Sequence, residues 1–258
     1  MDLVLSERIH LRRRNESVVV LLNRLRQMVH GLEVSVDIKD LTSSGWPRIS
    51  MSGPDEEVSE QILKRERGVS ATRSALLESN TIVKAFVDRI DTREDAIVLD
   101  IGLDPRENVR VICEASTLQA QLFDGELTPL ETMVAKYCIR PGIPISIRIP
   151  APHCQSGKIG TVLSDRQSDV FREWKEEPFE RLIIQNAFMH EVETAIRQLK
   201  LSRDLADNTE LSLMVCMMTF KLGTRARGLI PRLGPSLKDA QFYICSGLSQ
   251  SGRNRDPH

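Results

Sequence analysis

The chain is poor in aromatics, with seven Phe, two Trp and two Tyr in 258 residues. Proteins that grip single-stranded nucleic acid without sequence preference stack bases on aromatic platforms, so a broad surface of that kind is not expected. Charge of one sign is lacking as well. Formal net charge is −1, which removes any global pull toward nucleic acid or an anionic membrane. Long apolar runs are missing too. Val18–Leu22 and Leu213–Met218 fall far short of the roughly 20 residues that cross a bilayer. The opening "MDLVLSERIHLRRRN" places its basic residues after the apolar ones, the reverse of a secretory signal. A cytoplasmic protein with no membrane partner is the expectation.

Cysteine is present but not in a pattern that carries chemistry. Cys113, Cys138, Cys154, Cys216 and Cys245 are odd in number and widely spaced. No pair has the CxxC spacing of a metal ribbon or a redox dithiol. Cys216 sits in an apolar stretch and reads as a buried thiol. His153-Cys154, the one adjacent ligand-type pair, reads as loop filling. No metal and no cofactor is expected. The GxSxG, HExxH and GxGxxG signatures are absent. His190-Glu191 reads as a solvated pair, and Asp88, Asp91, Glu94 and Asp95 as a solvated hairpin tip. These absences lean away from catalysis, and an enzyme with an unrecognised site stays open as an alternative.

What is there suits a globular protein of two or three domains: 41% hydrophobic and 28% charged residues. Local charge divides the chain. Residues 1–78 carry 12 basic and 12 acidic side chains, residues 79–150 carry 8 and 11, and residues 151–258 carry 15 and 13. The middle is acidic and the end basic.

In residues 1–78, Leu3–Ile9 reads as a strand, followed by apolar residues at Val18, Leu21, Leu22, Leu25, Met28 and Val29. Steps of three and four describe one helix face, with Asn15 as the expected N-cap and Gly31 as the C-cap. "LEVSVDI" and "WPRISMS" alternate as strands across a turn at Ser43-Ser44-Gly45. Pro54 opens a second helix and Gly68 closes it. The order β-α-β-β-α is most of a ferredoxin-like unit.

Residues 79–150 are strand-rich. Ile82, Lys84, Phe86 and Asp88 share one face and Val83, Ala85, Val87 and Arg89 the other. Ala96–Ile101 follows the turn "DTRED", and Gly102 permits a bend. "NVRVICEAS" is a third strand, "TPLETMVAKYC" a short helix and "IPISIRIP" a last strand. Short strands with one helix before the final strand suit a small OB-like barrel. Phe86 is expected inside.

Residues 151–258 give a strand and helix in "GKIGTVLSDRQSDVFREWKEE", a strand in "FERLIIQN", and a helix through Val192, Ala195, Ile196 and Leu199. One or two strands then lead through Leu213–Phe220, apolar on both faces as a central strand is. A helical turn broken by Pro231 and a strand in "DAQFYICSG" complete β-α-β-β-α-β, a second ferredoxin-like order. The fold class expected is thus α+β: a ferredoxin-like unit, an OB-like barrel and a ferredoxin-like unit.

"IVLDIGL" resembles the strand and glycine turn of OB barrels in ribosomal and exosome RNA-binding proteins. "FKLGTRARGLIPRLGPSL", with "LQAQLFDG" upstream, resembles an uncharacterised archaeal family catalogued as domain of unknown function 2110. The resemblance covers most of the chain and implies a fold without an assigned reaction. The chain departs from it at Arg225, where the family usually has an acid, and at Phe220, where it has a cysteine. It also lacks the usual glycine at the start of the barrel, where Asn80-Thr81 stand.

The last motif is physically readable. Gly223 allows a sharp turn, and the Thr224 hydroxyl can cap the helical turn after it. Gly228 and Gly234 read as further turn positions. Backbone amides at a strand-to-helix turn can hold an anion. Lys221, Arg225, Arg227, Arg232 and Lys238 surround this one, and residues 211–238 contain no acid. The alternative is a tight turn with a solvated basic helix. Arg12, Arg13 and Arg14 precede the first helix, where a basic run opposes the helix dipole and is expected to splay into solvent.

The function these features favour is a non-catalytic protein that touches RNA, DNA or a nucleoprotein assembly in transcription or translation. Its contacts would be Lys221, Thr224, Arg225, Arg227 and Arg232, with Arg12, Arg13 and Arg14 as helpers. A protein–protein adaptor working through the acidic barrel and sheet edges is the alternative.

Overall fold

Three sheets, each with its own hydrophobic core, account for the 13 strands among the described residues of a computed structural model, which are 1–152 and 157–246. His153 and Cys154 lie outside the described residues. Among the described residues seven α-helices pack on the sheets, an α+β arrangement.

The first sheet has strand order β1-β3-β2, from β1 (Asp2–Val4), β2 (Ser35–Leu41) and β3 (Pro47–Ser52), all antiparallel. A single bridge from Leu5 to Val69 adds a rudiment beside β1. Helices α1 (Arg14–Met28) and α2 (Glu56–Arg67) contribute Leu21, Leu25 and Leu63 to a core with Val36, Ile49 and Met51. The helix face read from the periodicity is therefore the buried one. Its start differs. Asn15 lies inside the first turn, because a 3-10 turn over Leu11–Arg13, capped by the His10 side chain, feeds directly into α1.

The middle sheet has the order β8-β6-β5-β4-β7-β9. Its strands are β4 (Thr81–Asp91), β5 (Ala96–Asp100), β6 (Arg110–Glu114), β7 (Pro144–Ile149), β8 (Lys158–Gly160) and β9 (Val162–Leu163). β8 runs parallel to β6 and β9 antiparallel to β7, with only Thr161 between them. The two edges of the sheet are thus one continuous segment, and the sheet curls into a nearly closed barrel. Thr161 seals the crossing, donating both its N–H and its hydroxyl to Ile112 O at 2.8 and 3.0 Å. A division at residue 150 assigns Lys158–Leu163 to the last unit, whereas their hydrogen bonds join them to the middle sheet.

Ala85, Val87, Ile97, Leu99, Val111, Ile145 and Ile147 fill the barrel, the period-2 faces that alternation requires. Two helices, α3 (Ala115–Leu122) and α4 (Leu130–Lys136), stand where one was expected. The first was hidden because Ala115 follows β6 without a turn residue, so its start reads as more strand. Helix α5 (Asp165–Glu176), capped by the Ser164 hydroxyl, lays Phe171 on Tyr137 with ring centroids 4.8 Å apart. Phe123, Tyr137 and Phe171 belong to this core. Scarce aromatics are spent in this core, and Phe86, on the outer face of β4, is buried against Val4 and Trp46 of the first unit.

The third sheet has the order β11-β12-β10-β13, antiparallel throughout. Its chain order is β10 (Glu180–Gln185), α6 (Met189–Gln198), β11 (Leu205–Ser212), β12 (Val215–Phe220), α7 (Ala226–Leu233) and β13 (Gln241–Ser246). The central strand β12 is buried at every position. Alternation sorts its faces. Leu182, Ile184, Cys216, Met218 and Phe220 meet α6 and α7, while Ile183, Val215 and Met217 form a cluster with Cys138 and Ile143 of the barrel unit. Leu213-Met214, expected within a strand, forms the β11–β12 turn and is buried in the core of the first unit. An apolar turn is stable there because another unit covers it.

Candidate functional site: a polar cleft where three units meet

Between the three units lies a cleft of about 470 Å³, within the 300–1,000 Å³ usual for ligand pockets. Local structure positions its lining. Arg8 and His10 follow β1, and Ser43 and Ser44 lie in the β2–β3 turn. Phe86 and Asp88 come from β4, and Arg140 to Gly142 from the approach to β7. Gln185 ends β10 and Asn186 follows it, and Gln241 and Tyr243 stand on β13.

Each group is held differently. Arg8 Nε donates to Ser44 O at 3.2 Å and lies 4.0 Å from Asp100 Oδ2. The Arg140 guanidinium lies over the Tyr243 ring, 4.9 Å from its centre, and the Tyr243 hydroxyl donates to Gln241 Oε1 at 2.7 Å. Gln185 Nε2 donates to Pro141 O at 3.1 Å. Asn186 adopts a left-handed φ of 63°, which asparagine tolerates better than most residues. Its N–H donates to Met214 O and its C=O accepts from Arg13, while its side-chain amide has no partner among the described residues. His10 is held below its ordinary pKa by burial first and by Arg12 and Arg8 beside it. The cleft therefore offers two guanidiniums, a largely neutral imidazole, several carboxamides and one carboxylate, Asp88. Such a set binds anions and hydrogen-bonding edges.

The residues picked out from the sequence lie elsewhere. Lys221, Arg225 and Arg227 are exposed near the start of α7, on the helical side of the third sheet and away from the barrel. None of them pairs with a carboxylate among the described residues. The amide of Ala226 at the start of α7 is already taken, since it donates to Glu180 Oε2 at 2.7 Å. The acid missing from residues 211–238 arrives from β10, a contact only the fold makes. Thr224 does not cap the helix: the N-cap is Arg225, without a side-chain bond. Arg232 donates to Leu199 O at the end of α6.

Gly223 has a φ of 88° and Gly102 one of 83°, the left-handed turns expected of them. Gly228 is helical within α7, and Gly234 is its right-handed C-cap. Arg12 and Arg14 are exposed, but Arg13 is not splayed into solvent. It makes two bonds to Glu191, at 2.7 and 2.8 Å, and one to Glu16 at 2.9 Å, and it lies over the Phe188 ring. Its pKa is raised, by the Glu191 hydrogen bond foremost. Burial works to raise Glu191, but the Arg13 bond and the Phe188 amide outweigh it and hold the carboxyl low. His190-Glu191 is accordingly a junction, with His190 stacked on Phe188.

Two of the described cysteines are free thiols and two are bonded to each other. Cys113 and Cys216 are buried, and burial pushes each up to about 12, far from a reactive thiolate. Cys138 and Cys245 form a disulfide joining the barrel unit to β13, a pairing that a sequence separation of 107 conceals from any spacing rule. Among the described residues, no three His, Cys, Asp or Glu side chains are grouped to hold a metal. No helix there is long and apolar enough to cross a membrane.

No curated protein matches the chain. Two family models do. Residues 2–71 match the DUF2110 N-terminal domain, and residues 179–245 the DUF2110 C-terminal domain. These spans are the first and third units, flanking the barrel on which the cleft is built. The chain belongs to the DUF2110 family.

Proposed function

We propose that the protein is a non-catalytic, nucleic-acid-associated binding protein that holds a strand in the three-unit cleft. One observation carries this reading: Arg8 and Arg140, from different units, line one cleft beside Tyr243 and unfilled carboxamides. Guanidiniums recognise phosphate in a fork geometry, and stacked guanidinium planes accept bases. The strand orders supply further support. A barrel ordered β5-β6-β8/β9-β7 around β4, with β6 and β8 parallel, is the arrangement we read as OB-like. The orders β1-β3-β2 with the Val69 rudiment and β11-β12-β10-β13 are read as ferredoxin-like. Fold likeness is weaker support than the site itself.

Lys221, Arg225 and Arg227 are assigned a secondary role on the outer face, because Glu180 already occupies the amide that an anion would use. An accessory role in transcription or translation and a cytoplasmic setting belong to the same proposal. The adaptor reading, in which edge strands such as β2 and β11 pair with a protein, is its competitor.

The test is fluorescence anisotropy with labelled single-stranded RNA and DNA at several salt concentrations. Arg8→Ala with Arg140→Ala should weaken binding and flatten the log–log salt slope by about 0.7 per lost phosphate contact. Changing Lys221, Arg225 and Arg227 to Ala should have the smaller effect. A larger effect from the outer triple would move the site to α7, and no binding at low salt would favour the adaptor.

A further inference from the structure

Gln185 and Asn186 are more than nine-tenths buried, yet both line the cleft with hydrogen-bonding capacity unused. Gln185 spends one amide hydrogen on Pro141 O at 3.1 Å, which leaves a second hydrogen and the carbonyl. Among the described residues Asn186 keeps its whole side-chain amide, because its tie to Met214 runs through the backbone. None of these free amide atoms is sealed from solvent, so the two adjacent carboxamides at the cleft can act as a recognition edge. The Arg140 guanidinium carbon lies 4.9 Å from the centre of the Tyr243 ring in the same cleft, and a guanidinium is a plane on which a ring can stack.

Resting on the reading of the cleft as a nucleic-acid site, we propose that it takes one adenine nucleotide, with Gln185 and Asn186 reading the base edge. A carboxamide presents a donor and an acceptor side by side, and adenine answers with N7 as acceptor and the N6 amino group as donor. The base stacks on the Arg140 plane and the phosphate meets Arg8. A cleft of about 470 Å³ admits one nucleotide and no duplex. Adenosine monophosphate can come from solution or as one unit of a strand, and the experiment separates these sources.

The experiment measures binding of the full chain to single-stranded A, C, U and abasic oligonucleotides and to free adenosine monophosphate. The wild type should favour the A strand at least tenfold over the C, U and abasic strands. Gln185→Met and Asn186→Gly keep the site neutral, and glycine accepts the left-handed backbone; each should cut that preference to about twofold or less while abasic binding persists. An A strand carrying N6,N6-dimethyladenine makes the same test on unaltered protein and should bind like the C strand. Free nucleotide matching the strand in affinity names the free pool as the source, and a strand bound more than tenfold tighter names the polymer. Equal affinity for all strands, abasic included, overturns base reading but leaves the cleft as a phosphate site, provided Arg8→Ala with Arg140→Ala weakens it. Absence of binding to every probe overturns both.

Discussion

Lys84 of β4 donates from Nζ to Glu7 Oε1 at 2.9 Å, joining the barrel to the first unit through a carboxylate only 2% exposed. The other oxygen, Glu7 Oε2, accepts from Ser212 Oγ at 2.9 Å and from the Leu213 amide at 3.3 Å in the third unit. One carboxylate thus ties all three units together, with Arg67 3.6 Å away. Removing one member of a buried pair costs about 3–5 kcal/mol, because the other is left uncompensated. Glu7→Ala should lower unfolding free energy by that order in a denaturant titration. Glu7→Ala with Lys84→Met should cost less than the two separate losses added. Strict additivity would mean that the pair does not couple the units.

Gly102 of the barrel unit abuts Ser70 and Trp46 of the first unit. Its N–H donates to Asp100 Oδ1 at 2.9 Å, and Asp100 Oδ2 accepts from Trp46 Nε1 at 2.9 Å. A Cβ at Gly102 would come within 2.9 Å of the Trp46 ring and would sit at a left-handed φ of 83°. Trp46 is fully buried and edge-on to Phe86 at 5.6 Å, so it has little room to retreat. Gly102→Ala should destabilise by about 1–3 kcal/mol and shift tryptophan emission to longer wavelength. Unchanged stability and emission would count against this packing.

The disulfide between Cys138 and Cys245 spans 107 residues and borders the cleft, since Arg140 and Tyr243 stand two residues from its ends. In the chain-entropy account, a loop of that size contributes about 4.7 kcal/mol. Peptide mapping without reductant should recover the two cysteines as one cross-linked species. Cys138→Ser should lower the unfolding midpoint, with a loss in the range of about 2–5 kcal/mol. Rapid alkylation of both thiols in the unreduced native protein would refute the bond. Such bonds persist in oxidising compartments and are rare in a reducing cytosol, so the outcome also tests the cytoplasmic expectation.

Glu94, at the β4–β5 turn, is hydrogen-bonded by Arg110 foremost and then by Lys158, and its pKa falls from 4.5 to about 2. A carboxyl depressed in the folded state contributes stability that is complete above its unfolded pKa. That contribution is lost as pH falls through the folded value. The clamp from Glu94 to β6 and β8 should therefore hold at pH 5 and release between about 4.5 and about 2. A carboxyl-carbon NMR titration should place the Glu94 midpoint well below 4.5, and Arg110→Ala should raise it. A wild-type midpoint at the ordinary glutamate value would contradict the clamp.

Local order was written in the residues. The helix face through Leu21 and Leu25, the strand alternation of Ile145 and Ile147, and the left-handed turns at Gly102 and Gly223 follow from periodicity and backbone sterics. These depend on neighbours a few positions apart. The candidate site does not. Arg8, Arg140, Gln185 and Asn186 look like ordinary loop and strand-end residues, and only the docking of three units brings them around one cavity. The same holds for Glu180 at Ala226, Glu7 at Lys84 and Cys138 at Cys245, each pair separated by at least 46 residues. Even the barrel is finished by Lys158–Leu163, beyond where its last strand appeared to end. Local propensity depends on nearest neighbours, whereas pairing across units depends on which buried surfaces fit, and that is decided in three dimensions.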